Sequence, residues 1–442
     1  MITLTSTQIF IGQLGDARQT AAVGLGNLIV NVFANSVAIG FNGCLDTLVS
    51  QAYGSGNYRL CGVYTNRVRV VNLVFFVAIS GVLALTETLL VAFGQDPETA
   101  AMAQTYVVSF IPGVFFILQW QLTNRFLQAQ GIFRPQMYMT LFGGLMHIWI
   151  SYLFILRTNL GLQGAAIATT ITFIINFATF YIYSRFSERT KKSYAPWTRE
   201  SFRGFWEIFR FGIPSAANMF FDWVAMESIA LLVGLGGVNQ LAASIINTNF
   251  YLQLYSIPLS MMFATTPLVG QSLGAGNKKN AFAYMRATLL LAILISLFLS
   301  AIMVILRYQV SRLFTADEAV IEIAADNLII VSIIFISDGI LCMLKGTLMG
   351  MGYQKYSATL FFIGYWLVTI PLSTMLVIGF GKGINYVWGM KLVGSLIILG
   401  GSTLVVVRTN WDNLVISVKD RLDKAKTMNT NGPNSQKQTE NE

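Results

Sequence analysis

The sequence is poor in charge. Of its 442 residues only 11% are Asp, Glu, Lys or Arg, while 55% are hydrophobic and the mean hydropathy is +0.61. A soluble protein of this size needs far more charge to cover its surface, so the excess apolar residues face lipid and a soluble class is excluded. Cysteine and histidine are scarcer still. Cys44, Cys61 and Cys342 have no close spacing, which argues against a disulfide framework or a metal site and leaves them as small apolar side chains. The one histidine, His147, sits among Met146, Ile148 and Trp149 and reads as a packed or hydrogen-bonded helix residue rather than a proton relay. Signatures of hydrolytic or redox chemistry are missing too: there is no GxxxxGK[ST] run, no paired histidines and no metal-spaced cysteines. No enzymatic activity and no cofactor are expected.

What the chain has in abundance is long apolar runs. A helix needs ~20 apolar residues to cross the hydrocarbon core. Such stretches fall at 21–46, 70–93, 104–126, 137–156, 162–184, 211–235, 241–269, 283–306, 321–348, 358–379 and 386–407, eleven in all. Met1 to Ile11 is apolar but too short to span, and it lacks the basic start and cleavage site of a secretory signal.

The net charge of +9 does not point to nucleic acid, because the charges are sorted by loop. One side collects seventeen basic residues, among them Arg59, Arg67, Arg69, Arg125, Arg134, the run from Arg185 to Arg210, Lys278, Lys279, Lys345 and Lys355, while the other holds five: Arg18, Arg157, Arg307, Arg312 and Lys382. This is the positive-inside asymmetry, so that set of loops and the polar tail after Arg408 are expected to be cytoplasmic, in a multi-pass protein of the plasma membrane or of a vacuolar or other organellar membrane. The last dozen residues of the tail have almost no hydrophobic content and are expected to be disordered.

Two segments half a chain apart match with almost no gaps. Gln51, Gly54, Gly56, Asn57 and Tyr64 lie 220 positions before Gln271, Gly274, Gly276, Asn277 and Tyr284; Phe93, Asp96, Ala103, Leu127 and Gly131 lie 221 positions before Phe314, Asp317, Ala324, Leu348 and Gly352. Duplicated halves of this kind are a transporter pattern. Both glycine-rich segments fall on the basic side, so the repeat is parallel, and they read as tight turns rather than phosphate cradles. The offset places the start of the first helix about ten residues before Met1, so that helix reads as truncated. The expected organisation is an N-terminal lobe at 1–184, a cytoplasmic linker at 185–210 forming an interfacial helix with Trp197 and Trp206, a C-terminal lobe at 211–407 and a cytoplasmic polar tail at 408–442.

The residues that carry chemistry are acids inside apolar stretches, where burial is expensive: Asp46, Asp222, Glu227 and Asp338. No basic partner within the membrane is evident for them. Lys345, two turns from Asp338, reads as snorkelling to the cytoplasmic end. Desolvation and a neighbouring acid both favour a protonated carboxyl, and the ionised form attracts cations, so such acids suit exchange of protons for a cation. Asp222 and Glu227 are about 140° apart around a helix and point in different directions. Gln51, Trp223, Asn249, Tyr255, Tyr365 and Trp366 are the candidates for lining a cavity, the aromatic rings offering faces to a cationic substrate.

GCLDTLVSQAYGSGN, RFLQAQG followed by Pro135, FDWVAMES, PLVGQSLGAGN, and LMGMGYQKY leading to GYWLVTIP resemble the eukaryotic branch of the multidrug and toxic compound extrusion (MATE) transporters. The resemblance runs from Ile11 to Arg408. It implies an all-α fold of twelve helices in two six-helix lobes around a cleft, with both termini cytoplasmic. It further implies a monomer exporting organic cations or other small xenobiotics or metabolites in exchange for protons, with Asp46, Asp222, Glu227 and Asp338 at family acid positions. Two family glutamates are aspartates here, Asp222 and Asp338, and Asn249 replaces a glutamate of the animal transporters. The alternatives are sodium coupling, or a lipid- or glycan-carrier flippase, which would favour a basic cavity.

Overall fold

The computed structural model describes residues 2–13, 17–158 and 160–430, and among these the chain is helical with no strand. The helices of more than eight residues are α1 (Ile2–Gly12), α2 (Arg18–Gly54), α3 (Tyr58–Leu83), α4 (Pro97–Ala129), α5 (Arg134–Leu156), α6 (Gly161–Phe186), α7 (Phe205–Gly234), α8 (Val238–Gly274), α9 (Lys278–Ile305), α10 (Glu318–Met351), α11 (Gln354–Gly379), α12 (Ile384–Arg408) and α13 (Trp411–Thr430), with shorter helices at Thr86–Ala92 and Arg307–Phe314. Among the described residues ten of them, α2 to α7 and α9 to α12, are long and apolar enough to cross a membrane. Each of the eleven apolar stretches falls within or across one of α2 to α12. The eleventh, α8, has 37 residues, with Pro258 and Pro267 inside it and Asn, Gln, Ser and Thr along much of its length. Its polarity is that of a helix enclosed by its neighbours rather than bathed in lipid. By contrast α9 leaves Leu290, Leu291, Leu294, Leu297 and Phe298 exposed, as a lipid-facing helix must.

The repeat seen in the sequence is largely punctuation. Asn57 and Asn277 are matching N-caps, accepting hydrogen bonds from the backbone N–H of Leu60 at 3.2 Å and of Asn280 at 3.0 Å. Asp96 and Asp317 likewise accept from Thr99 N–H at 3.0 Å and Ala319 N–H at 2.9 Å. Gly56 and Gly276 close the preceding helices with φ of +77° and +73°, and Gly131 and Gly352 do the same at +75° and +84°, a conformation that L side chains resist.

The packing divides the chain into two units, residues 1–45 with 57–212 and residues 46–56 with 213–442. The core of the first is built on α4, where Tyr106, Phe110, Val114 and Ile117 are buried against Ala22, Val23 and Val30 of α2 and Ala165 and Ala166 of α6. His147 is buried there, with Nδ1 2.7 Å from Thr172 Oγ1 and Nε2 3.0 Å from Thr7 Oγ1, the hydrogen-bonded helix histidine that the sequence suggests. The linker departs from expectation. Instead of an interfacial helix, it is an irregular strap with a single 3-10 turn at Arg199–Phe202. Pro196 cannot donate to a helix ladder, and side chains of α3 take the place of helical partners: Asn66 Nδ2 donates to the Ala195 carbonyl at 3.1 Å and Arg67 Nε to that of Glu200 at 3.1 Å.

The second unit is organised around α10, whose 34 residues are apolar on every side and more enclosed than any other candidate span. Residues 46–56, the last turns of α2, pack in this unit. Thr47 donates to the Met349 carbonyl, and Gln51 Nε2 donates to that of Gly350 at 2.7 Å. There the two repeat copies cross reciprocally: a Cβ on Gly54 would overlap the Gln271 carbonyl, and a Cβ on Gly274 would overlap the Gln51 carbonyl. The matched Gln and Gly therefore serve a close helix crossing as well as the turn that follows. The polar tail opens with an amphipathic helix, α13, which buries Leu414, Val418, Leu422 and Ala425 on one face. The last dozen residues lie outside those described.

Candidate functional site

A cavity of about 70 Å³ lies inside the second unit, walled by α7, α8, α10, α11 and α12. Local helix geometry explains why these walls meet. On α11 the stretch Phe362–Thr369 is wound as π-helix, and Thr369 Oγ1 donates back to the Gly364 carbonyl at 3.0 Å. Gly364 and Gly394 face each other with no room for a side chain on either, so α11 and α12 approach closely. Tyr365 and Lys391, each within three residues of that contact, both reach the cavity. π segments of this kind recur at functional positions.

Two carboxylates face the cavity, and each has a lysine. On α10, Asp338 Oδ2 accepts from Lys391 Nζ of α12 at 2.6 Å and from the Tyr251 hydroxyl of α8 at 2.5 Å, while Oδ1 accepts from Ser395 Oγ at 2.5 Å. Ser395 in turn is 3.0 Å from Ser337 Oγ. This pair is enclosed, with side-chain exposures of 2% for Lys391 and 5% for Asp338. On α7, Asp222 Oδ2 accepts from Lys345 Nζ of α10 at 3.1 Å, and here the exposures are 8% for the lysine and 23% for the aspartate. Among the described hydrogen bonds and ion pairs this is the one drawn for Asp222.

The lysines correct two readings of the sequence. The acids are not without basic partners in the membrane, and Lys345 does not snorkel to an aqueous end; it is buried and turned inward. The physical reason is cost, since an isolated carboxylate or ammonium in a low-dielectric interior is far less stable than a hydrogen-bonded pair. Lys391 is the one charged residue between Ile384 and Val407, and that isolation is the signal the sequence offers. Its partner lies 53 positions away and that of Lys345 lies 123 away.

Aromatic rings complete the wall. Tyr251 and Tyr255 stack at 5.3 Å with an interplanar angle of 15°, and Tyr255 accepts a hydrogen bond from the Cys342 thiol at 2.9 Å. Lys345 Nζ is 4.6 Å from the Phe361 ring centroid and Lys391 Nζ is 5.2 Å from that of Tyr251, both within cation–π range. Trp223 and Tyr365 also line the cavity.

The other candidates lie elsewhere. Glu227 is exposed on a different face of α7, as the 140° separation from Asp222 requires. Asn249 is exposed on α8. Trp366 is half-buried beside the cavity, donating from Nε1 to the Phe221 carbonyl at 3.3 Å and stacking on Phe220. Asp46 is buried near the end of α2, where its carbonyl accepts from Ser50 Oγ at 2.5 Å. Gln51 belongs to the helix crossing, where its side-chain oxygen accepts from Arg421 of α13.

Membrane-length helices around a cavity of paired carboxylates, ammonium groups and aromatic rings define a membrane transporter of solutes. A sequence profile of the MatE family matches residues 2–153 and 214–375, so the chain belongs to that family. Protein DETOXIFICATION 16 of Arabidopsis thaliana is 27% identical over 422 residues, covering 95% of this chain and 87% of the relative. Multidrug and toxin extrusion protein 1 of Homo sapiens is 27% identical over 405 residues, covering 92% and 71%. Among solved structures, the crystal structure of the eukaryotic MATE transporter AtDTX14 superposes with a TM-score of 0.88 at 27% identity, covering 95% of this chain and 94% of that one. The Vibrio cholerae MATE transporter VcmN, as its D35N mutant, reaches 0.83 at 18% identity, which shows the shared two-lobe fold. The antiporter role is general to the family.

Proposed function

We propose that this chain exports organic cations in exchange for protons and that the exchange takes place at the cavity of the second unit, with Asp222 as the group that trades one for the other. The observation that carries this reading is the contrast between the two pairs. Both oxygens of Asp338 are taken by three donors, so that carboxylate anchors the site. Asp222 has a single drawn donor and is the more exposed, so a proton or a ligand ammonium reaches it with less rearrangement. Glu227 and Asp46 stand outside the cavity, and the proposal gives them no contact with a ligand there.

Size supports a head-group site. A drug-sized ligand needs ~300 Å³ or more, whereas the cavity holds about 70 Å³. It accommodates an ammonium or a few waters, with the rest of a substrate outside it. The two lysines favour a second reading, transport of a lipid or glycan carrier through its phosphate. Each lysine faces a carboxylate, however, so the cavity carries no excess positive charge to hold a phosphate. The test is uptake of a fluorescent organic cation into vesicles under an imposed pH gradient. Gradient-driven uptake that is lost in Asp222→Asn supports proton exchange. Uptake that follows an imposed sodium gradient instead, or that persists in the variant, contradicts it.

A further inference from the structure

We propose that Lys345 is a tethered competitor for the substrate: its ammonium occupies, on Asp222, the seat that the cationic head group of a transported molecule takes. This rests on the exchange reading above, which gives the ligand as an organic cation with a small charged end, and adds to it the group that this charged end must displace. Three observations lead here. The Lys345 ammonium is 3.1 Å from Asp222 Oδ2 at the more exposed of the two pairs. The Phe361 ring holds the same ammonium from a second side, with Nζ 4.6 Å from the ring centroid, so it keeps one partner when the carboxylate is taken by a ligand. The other lysine has no such freedom: Lys391 is 2.6 Å from a carboxylate that Tyr251 and Ser395 also hold.

The consequence is a site that stays charge-compensated when empty. An uncompensated carboxylate in the membrane interior is costly and would bind whatever small cation arrived. With Lys345 in place, only a ligand that supplies both a positive charge and apolar contact, on rings such as Trp223 and Tyr255, gains enough to displace the ammonium from Asp222. The charged groups that face Lys345 across the cavity are Asp222 on α7, Asp338 on its own helix and Lys391 on α12.

Binding of dansylcholine, a fluorescent monocation whose trimethylammonium ends a short chain, to the full chain in lipid nanodiscs tests this. Lys345→Met removes the competitor, and dansylcholine is expected to bind about tenfold tighter than to the wild type, because the ligand no longer displaces a charge already on the carboxylate. Lys345→Arg keeps a tethered cation and is expected to stay within about threefold of the wild type. A purely structural role for Lys345 predicts weaker binding in both variants, and that result, or an unchanged affinity in Lys345→Met, overturns the proposal. If Lys345→Met does not fold, Lys345→Gln decides: a neutral donor in place of the ammonium is expected to give the same gain of about tenfold, and no gain overturns the proposal. Binding by the wild type that is abolished in Asp222→Asn while Lys345→Met shows no gain counts against the competitor alone. Wild-type binding that ignores Asp222→Asn counts against the exchange reading as well.

Discussion

The Lys391 ammonium lies 2.6 Å from Asp338 Oδ2, at the centre of a network that Tyr251, Ser395 and Ser337 complete from three helices. Both charges are almost fully enclosed, and their stability depends on each other.

Removing one partner should therefore cost more than removing both. Lys391→Met and Asp338→Asn are each expected to destabilise the protein by about 3–5 kcal/mol, and the double variant by clearly less than the sum. Thermal unfolding in detergent, run as a double-mutant cycle, checks this. Additive losses would mean the pair is not coupled. Asp222→Asn is expected to lower stability less, since Asp222 is the more exposed acid with the single drawn donor.

Gly274→Ala places a Cβ against the Gln51 carbonyl, and Gly54→Ala does the same at Gln271. The clash is with helix backbone, so neither site can yield by a rotamer change. Both variants are expected to lose most of the folded protein recovered by size-exclusion chromatography. Gly81→Ala, where nothing lies within 4 Å of the added atom, is expected to be neutral or to gain about 0.5–1 kcal/mol from helix propensity.

Asp96 caps α4 outside the membrane-length helix, and the Thr99 N–H and hydroxyl hold its carboxyl below the usual carboxylate range. A depressed value means that the cap's contribution is fully present above the unfolded-state value and is lost as pH falls through the folded one. Hydrogen exchange at the first turn of α4 is expected to speed up in acid in the wild type. In Asp96→Asn that acid-dependent step should disappear.

The tail helix α13 is docked rather than loose. Its apolar face is buried, Trp411 packs edge-on against Phe282 at 5.6 Å, Lys278 pairs with Asp412 at 2.5 Å and Arg421 bonds to Gln51. Limited proteolysis is expected to spare Trp411 to Leu422 in the wild type and to cut there in Arg421→Ala, where Gln51 loses its partner.

The helices, the duplication and the acids were legible in the sequence because each is a local or periodic signal: apolar runs of membrane length, one offset held across half a chain, carboxylates where carboxylates are rare. What those signals meant was less legible. The repeated Asn and Asp are helix caps, and the repeated Gln and Gly build a crossing whose two sides come from residues 220 apart. The lysine partners escaped for the same reason. Along the sequence Lys345 stands two turns from Asp338 on one helix, whereas its contact is with Asp222 on α7. Nothing short of the packing of α7 against α10 distinguishes those two choices. The linker misled in the other direction, because its Trp and Arg content suits an interfacial helix while Pro196 and the hydrogen bonds from α3 hold it as an irregular strap.

The central claim is that a proton and a cation compete for Asp222. It is tested most directly by dansylcholine affinity in nanodiscs as a function of pH. Competition for one carboxylate predicts that binding weakens as pH falls, by up to about tenfold per pH unit, and that the weaker binding left in Asp222→Asn shows no such dependence. An affinity that ignores pH in the wild type, or a pH dependence that survives in Asp222→Asn, would contradict it.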